Sequence, residues 1–189
     1  MPRPRNPQRP KDLLDDAMRY VLRHGVSGLS LRPLALALGT TPRNLLYHFG
    51  SSDKLLGAIF ARIREGQQAV TARQAAATLG QACWQAWQEL SRPAAVKWFK
   101  LFFAAQGMAL ERPALFQEFL HGATDDWTAW LGTELEKAGV TGTDALELAT
   151  VVVAGFRGFM MDLCGTGDRK RVNASVLRWT EMLDRSLAV

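Results

Sequence analysis

The sequence is short of cysteine, of long apolar runs and, over its first third, of acidic side chains. Cys83 and Cys164 stand far apart and in no zinc-ligand spacing, which excludes a disulfide framework and leaves two reduced, buried thiols. The most apolar stretch, Val151 to Cys164, is broken by Arg157 and Asp162 and falls short of the roughly 20 residues that a bilayer span needs. No membrane association is expected. The basic, proline-rich start MPRPRNPQRPK leads into no apolar segment of signal-peptide type, so the expected compartment is the cytoplasm. A Gly-rich phosphate loop, a nucleophile elbow and an HExxH motif are all missing, and neither an enzymatic activity nor a cofactor is expected.

Of the 189 residues, 48% are hydrophobic and 22% charged. That is enough apolar surface for a sizeable core and too little charge for a disordered polyelectrolyte. The charge is unevenly placed. Residues 1–64 carry 11 basic and 4 acidic side chains, a net of +7, whereas the remainder carries 12 against 14. A basic third joined to a mildly acidic body fits a nucleic-acid-binding module attached to something else, because neutralising phosphate needs clustered Lys and Arg; a solubilising basic tail is the plainer alternative.

The periodicity is helical almost throughout, which predicts an all-α fold. A first helix runs from about Asp12 to Arg23, with Leu13, Leu14, Ala17, Tyr20 and Val21 on one face and Gly25 as its stop. Ser30 caps a short second helix that tolerates Pro33 in its first turn and stops at Gly39. Thr41-Pro42 repeats the start signal for a third helix to about His48. After Gly50-Ser51-Ser52 a long helix begins near Asp53. Five further helices are expected: Gln81 to Leu90 (the stretch before it weakened by Gly80), Val96 to Leu110, one from Phe116 onward, Asp144 to Cys164, and Arg171 to Leu187.

Leu31 to His48 has the layout of a helix-turn-helix. Leu34, Ala35 and Leu38 face inward from its first helix and Leu45 and Leu46 from its second, with Ala35, Gly39 and Leu45 at the spacing of that motif. In such a unit the second helix enters the major groove and presents its N-terminal residues to base edges. Those residues are Thr41, Pro42, Arg43 and Asn44. Arg43 can donate a bidentate pair to guanine and Asn44 can pair with adenine, each worth about 1–3 kcal/mol of discrimination. Tyr47 and His48, one turn on, can reach phosphate or a thymine methyl, and Arg32 completes the basic side of the unit.

The segment LLDDAMRYVLRHGVSGLSLRPLALALGTTPRNLLYHFGSSDKLL resembles the N-terminal DNA-binding region of TetR-family transcriptional regulators over about residues 12–60. The resemblance implies an all-helical homodimer that binds a palindromic double-stranded DNA operator and releases it when a small molecule enters the C-terminal part. It divides the chain into a DNA-binding domain at 1–60, with a basic arm of Arg3, Arg5, Arg9 and Lys11, and an effector-binding and dimerisation domain at 61–189. Members of the family commonly carry a Lys where this chain has Ser52; Lys54 is the replacement expected to meet phosphate, helped by the helix N-terminus.

The body holds all six tryptophans. Trp84, Trp87, Trp98, Phe102, Phe119, His121, Trp127 and Phe156 are the candidates for an apolar or aromatic effector site, although each aromatic taken singly reads more simply as core. Gln106, Asp125, Asp162 and Arg157 are further polar groups available to orient a ligand, with nothing in the sequence to choose among them. Glu118, His121 and Asp125 share a helical face, but one His without Cys makes a poor metal site and solvated side chains are the better reading. The stripes Ala145, Leu148, Ala149, Val152, Phe156, Phe159, Leu163 and Val172, Val176, Trp179, Leu183 are expected to pair with a second copy in a four-helix bundle; packing within the monomer is the competing reading. An apolar-ligand-binding protein with weak or non-specific DNA binding is the alternative function.

Overall fold

The computed structural model describes residues 9–68, 76–137, 139–140 and 142–187, so Arg3 and Arg5 of the basic arm lie outside the described residues. The fold is all-α. Among those residues nine helices follow one another: α1 Arg9–His24, α2 Leu31–Ala37, α3 Pro42–Phe49, α4 Ser52–Gln68, α5 Leu79–Leu90, α6 Pro93–Glu111, α7 Gln117–Lys137, α8 Thr143–Thr166 and α9 Arg169–Leu187. The chain divides into two compact units. One takes residues 1–66 and 101–120, the other 67–100 and 121–189. The division is discontinuous, because α6 and α7 each belong partly to one unit and partly to the other, where the sequence suggests a single cut near residue 60.

In the first unit α1, α2 and α3 pack on one another around Ala17, Val21, Val26, Leu34, Ala35 and Leu45, all essentially inaccessible. Helix α1 starts three residues earlier than its apolar pattern indicates and ends at Gly25, whose φ of +80° is a conformation other residues adopt only with strain. The C-terminal half of α6 and the start of α7 complete this unit with a ring cluster: Phe60 lies 5.0 Å from Phe116 and 5.1 Å from Phe119, and Phe102 5.9 Å from Phe119, centroid to centroid. Such tilted pairs add roughly 0.5–1.5 kcal/mol each beyond the area they bury.

In the second unit α9 packs along α5 and α8. Two glycines permit these approaches. A Cβ on Gly80 would stand 2.4 Å from the Thr180 carbonyl and 2.5 Å from Asp184 Oδ2, and one on Gly155 2.6 Å from the Trp179 ring. Gly80 is therefore an interior residue of α5 placed for contact, and α5 begins at Leu79, before the glycine rather than after it. Asp184 reaches over from α9 to accept the Gly80 N–H at 2.7 Å and the Thr78 hydroxyl at 2.9 Å. It thus satisfies an orphan donor of the first turn of α5 and puts an anion at that helix's positive end. Trp87, fully buried, donates its indole N–H to Asn173 Oδ1 at 2.8 Å.

Helix α8 has 24 residues and a mean hydropathy of 1.4 over its most apolar window, so by length and composition alone it could cross a membrane. One side of it packs into the unit: Ala145, Ala149, Val152, Phe156, Met160 and Leu163 are buried, and the opposite side carries Glu147 and Thr150 to the surface. The stripes expected to form the dimer are these buried ones. Val152, Val172 and Val176 have no accessible surface, and Trp179 packs edge-on against Phe156 at 5.4 Å, so most of both stripes packs within one protomer, while Leu148, Phe159 and Trp179 stay half-exposed. Cys83, fully enclosed, has its thiol pushed up to about 12, chiefly by burial and also by the Asp184 charge; it stays protonated at neutral pH.

Candidate nucleic-acid interface and internal cavity

The turn between α2 and α3 is built from backbone needs. After Ala37 the chain reverses through Gly39 (φ +62°), and the Thr40 N–H closes the turn on the Ala35 carbonyl at 2.9 Å. Thr41 is extended (φ −115°, ψ 152°) and its hydroxyl accepts the Asn44 N–H at 3.2 Å, while Pro42 begins α3 where its missing N–H costs nothing. Ser30 occupies the corresponding position before α2, but its side chain makes no cap bond.

With Leu45 buried as the anchor of α3, the opposite side of the helix faces solvent. Arg43 is exposed there and Tyr47 is 59% exposed, its ring edge-on to His48 at 5.2 Å. Leu46, expected inward, is instead a surface residue: Leu45 already fills the contact with α1 and α2, and the next residue lies 100° round the helix. Asn44 donates its side-chain N–H to Thr40 Oγ1 at 2.8 Å. That bond uses one of two amide hydrogens and holds the group over the turn, leaving Oδ1 and the second hydrogen available to a base edge. Arg32 and Lys54 are exposed, and among the described residues no ion pair neutralises Arg32, Arg43 or Lys54.

At the start of α4 the Ser51 hydroxyl accepts the Lys54 N–H at 3.1 Å, after a Gly50 with φ +84°. Beside it Arg112 makes a bidentate pair with Asp53, 2.9 and 2.8 Å, and lies over the Phe116 ring. Those hydrogen bonds hold the Asp53 carboxyl below its ordinary value, so the one acid at the α4 terminus arrives already paired. Arg112 is the residue that the sequence did not point to. Its partner is 59 positions away, and local pattern carries no trace of such a pair.

The second unit contains a small, partly open cavity lined by Leu90, Phe99, Trp127, Val153, Phe156, Met160 and Arg157, with a free volume of about 20 Å³. Of the sequence candidates Trp127 and Phe156 line it, and Arg157 is its polar group. Trp87 is buried elsewhere in the unit, Trp84 and Trp98 are half-buried outside the cavity, and His121 is exposed. Phe102 and Phe119 belong to the ring cluster of the first unit, where Phe119 also borders a groove of about 330 Å³ with Lys54 and Arg64. Asp162 is held bidentately by Arg171, and Glu118 and Asp125 are exposed on α7. Met160, at helical spacing from Phe156, belongs to the bulky set that suggests a cavity; Leu90, Phe99 and Val153 were not singled out, since aliphatic and aromatic residues at helical spacing look the same whether they line a cavity or fill a core.

No protein-family profile matches the chain, and no curated protein is similar to it in sequence. Solved structures are. A TetR-family transcriptional regulator from Cytophaga hutchinsonii superposes with a TM-score of 0.73 at 16% identity, over 94% of this chain and 95% of that one. The fold is that of TetR-family regulators. The multidrug binding protein EbrR in complex with ethidium matches 90% of this chain and 97% of its own at 24% identity and TM-score 0.69. BioQ with its double-stranded DNA operator matches 90% and 96% at 22% identity and TM-score 0.57. The TetR-like likeness therefore extends well beyond the 12–60 segment that carried the sequence resemblance, into the body where no residue pattern shows it.

Proposed function

We propose that this chain is a ligand-responsive transcriptional regulator, a repressor that binds a palindromic operator as a homodimer and leaves it when a small molecule occupies the second unit. The observation that carries the reading is the surface of α3: a helix capped by Thr41 and anchored by Leu45, with Arg43 and Tyr47 exposed, Asn44 held over the turn by Thr40, and the cations Arg32 and Lys54 without an ion pair among the described residues. Arg43 and Asn44 read base edges, whereas Tyr47, His48, Lys54 and Arg32 hold the backbone. Support comes from two proteins of the same fold, BioQ, seen with its operator, and EbrR, seen with ethidium.

The dimer face we assign is not the one the apolar stripes suggested. Val151, Ala154, Gly158 and Met161 recur at i, i+3, i+7 and i+10 along the outer side of α8, all exposed, and Leu177 and Met182 are exposed on α9. The small residues in the middle let a symmetry-related α8 approach closely, and two-fold pairing gives two recognition helices for two half-sites about 34–36 Å apart. A ligand acts by favouring the protomer arrangement in which that spacing is wrong, since it shifts an equilibrium only through unequal affinity for the two states.

Selection from a random duplex library with the purified protein, at two salt concentrations, tests the function. The expected result is an enriched palindrome with half-sites about one helical turn apart. Salt-sensitive binding without an enriched sequence would reduce the protein to a non-specific polycation and end the reading.

A further inference from the structure

Among the described residues Arg157 is the one charged group lining the cavity of the second unit. One of its terminal nitrogens donates to the Ala123 carbonyl at 2.7 Å, and both lie 3.3 Å from the Thr124 hydroxyl. Both acceptors are neutral. Among the described residues no carboxylate pairs with it, and burial alone acts on its pKa, pushing it down from the ordinary value. Arg157 lines the cavity together with Phe99, Trp127, Phe156 and aliphatic side chains, and its guanidinium hydrogens beyond those used by Ala123 and Thr124 meet no acceptor among the described residues. The guanidinium keeps its charge even so, and a charge partly withdrawn from water without a counter-charge is better satisfied once an anion completes it.

From this we infer that the effector is an anion: a flat aromatic or apolar body carrying one carboxylate, which pairs with Arg157 while the body lies against Trp127, Phe99 and Phe156. This rests on the proposal that a small molecule occupies the second unit, and adds its place in this cavity, its charge and its shape. A guanidinium fork matches a carboxylate in two parallel hydrogen bonds, a geometry no neutral isostere reproduces. A free volume of about 20 Å³ holds no more than one water, so entry displaces side chains. Met160, unbranched at the cavity wall, is suited to give way. An ammonium in the same place meets the like charge of Arg157 and is rejected.

The test is calorimetric titration of the full-length protein with three ring-matched probes: 2-naphthoate, 2-naphthamide and 2-naphthylmethylammonium. The wild-type chain is expected to bind naphthoate at least about tenfold more tightly than the amide, as a charge-assisted pair in a half-buried apolar site should, and the ammonium most weakly. In R157Q the naphthoate affinity falls to that of the amide, whose own affinity stays. Equal or tighter binding of the amide or the ammonium overturns the charge assignment while leaving the cavity as a ligand site. A preference for naphthoate that persists in R157Q also overturns it. Binding of none of the three removes the cavity from the effector role, and this inference with it. Should R157Q not fold, the wild-type ranking of the three probes decides.

Discussion

Lys54 is the third residue of α4, its own N–H taken by Ser51, its side chain exposed and free of any carboxylate partner among the described residues. It carries its ammonium to a helix N-terminus, which already favours anions. Lys54→Ala should therefore weaken binding to every duplex alike and flatten the salt dependence by about one unit, read by anisotropy titration across a salt series. A loss confined to one sequence would make Lys54 a base reader instead. Asp53 next to it is governed by Arg112. Its folded-state carboxyl lies below the ordinary value through the bidentate hydrogen bond and the attraction of the cation. The stability it contributes is then present above the unfolded-state value and disappears as pH falls through the lower, folded one. Arg112→Ala is predicted to return the Asp53 carboxyl titration, followed by NMR, toward its ordinary value and to abolish that acid-range contribution. An unmoved titration would show that the pair does not persist in solution.

At the scale of elements, close approach is the feature most open to challenge. Gly80→Ala places a methyl within 2.4 Å of the Thr180 carbonyl and against Asp184, in a site where backbone, not a flexible side chain, is the nearer obstacle. Destabilisation of about 1–3 kcal/mol in denaturant unfolding is expected from such overpacking, despite alanine's better helix propensity; a stabilised variant would show that α5 and α9 stand farther apart than described. The same glycine marks what could be read in advance. Thr41-Pro42, Gly25 and Gly39 announced their elements because capping and positive φ are local properties, and the helix-turn-helix was legible for that reason. Gly80 looked like a break because its neighbour across the contact, Asp184, is 104 positions away. The apolar stripes of α8 and α9 were visible, but periodicity states that a face is buried and not by whom. Trp127 and Phe156 stood out as large aromatics, while Arg157 was one polar group among several until the fold put it in a wall with no anion beside it.

For the molecule as a whole, assembly and recognition are one claim, because a single short helix spans too few base pairs for specificity. Met161→Glu, on the exposed side of α8, is predicted to give monomers by sedimentation with helicity unchanged. Val152→Glu, at a position with no accessible surface, should instead unfold the second unit. Dimers that persist in the Met161→Glu protein would place the interface elsewhere. The central claim, that α3 reads bases and does so twice by symmetry, is tested most directly by repeating the duplex selection with Arg43→Ala. The account predicts the wild-type palindrome with its preference erased at one position, the same position in both half-sites. A motif unchanged by the substitution, or altered in only one half-site, would contradict it.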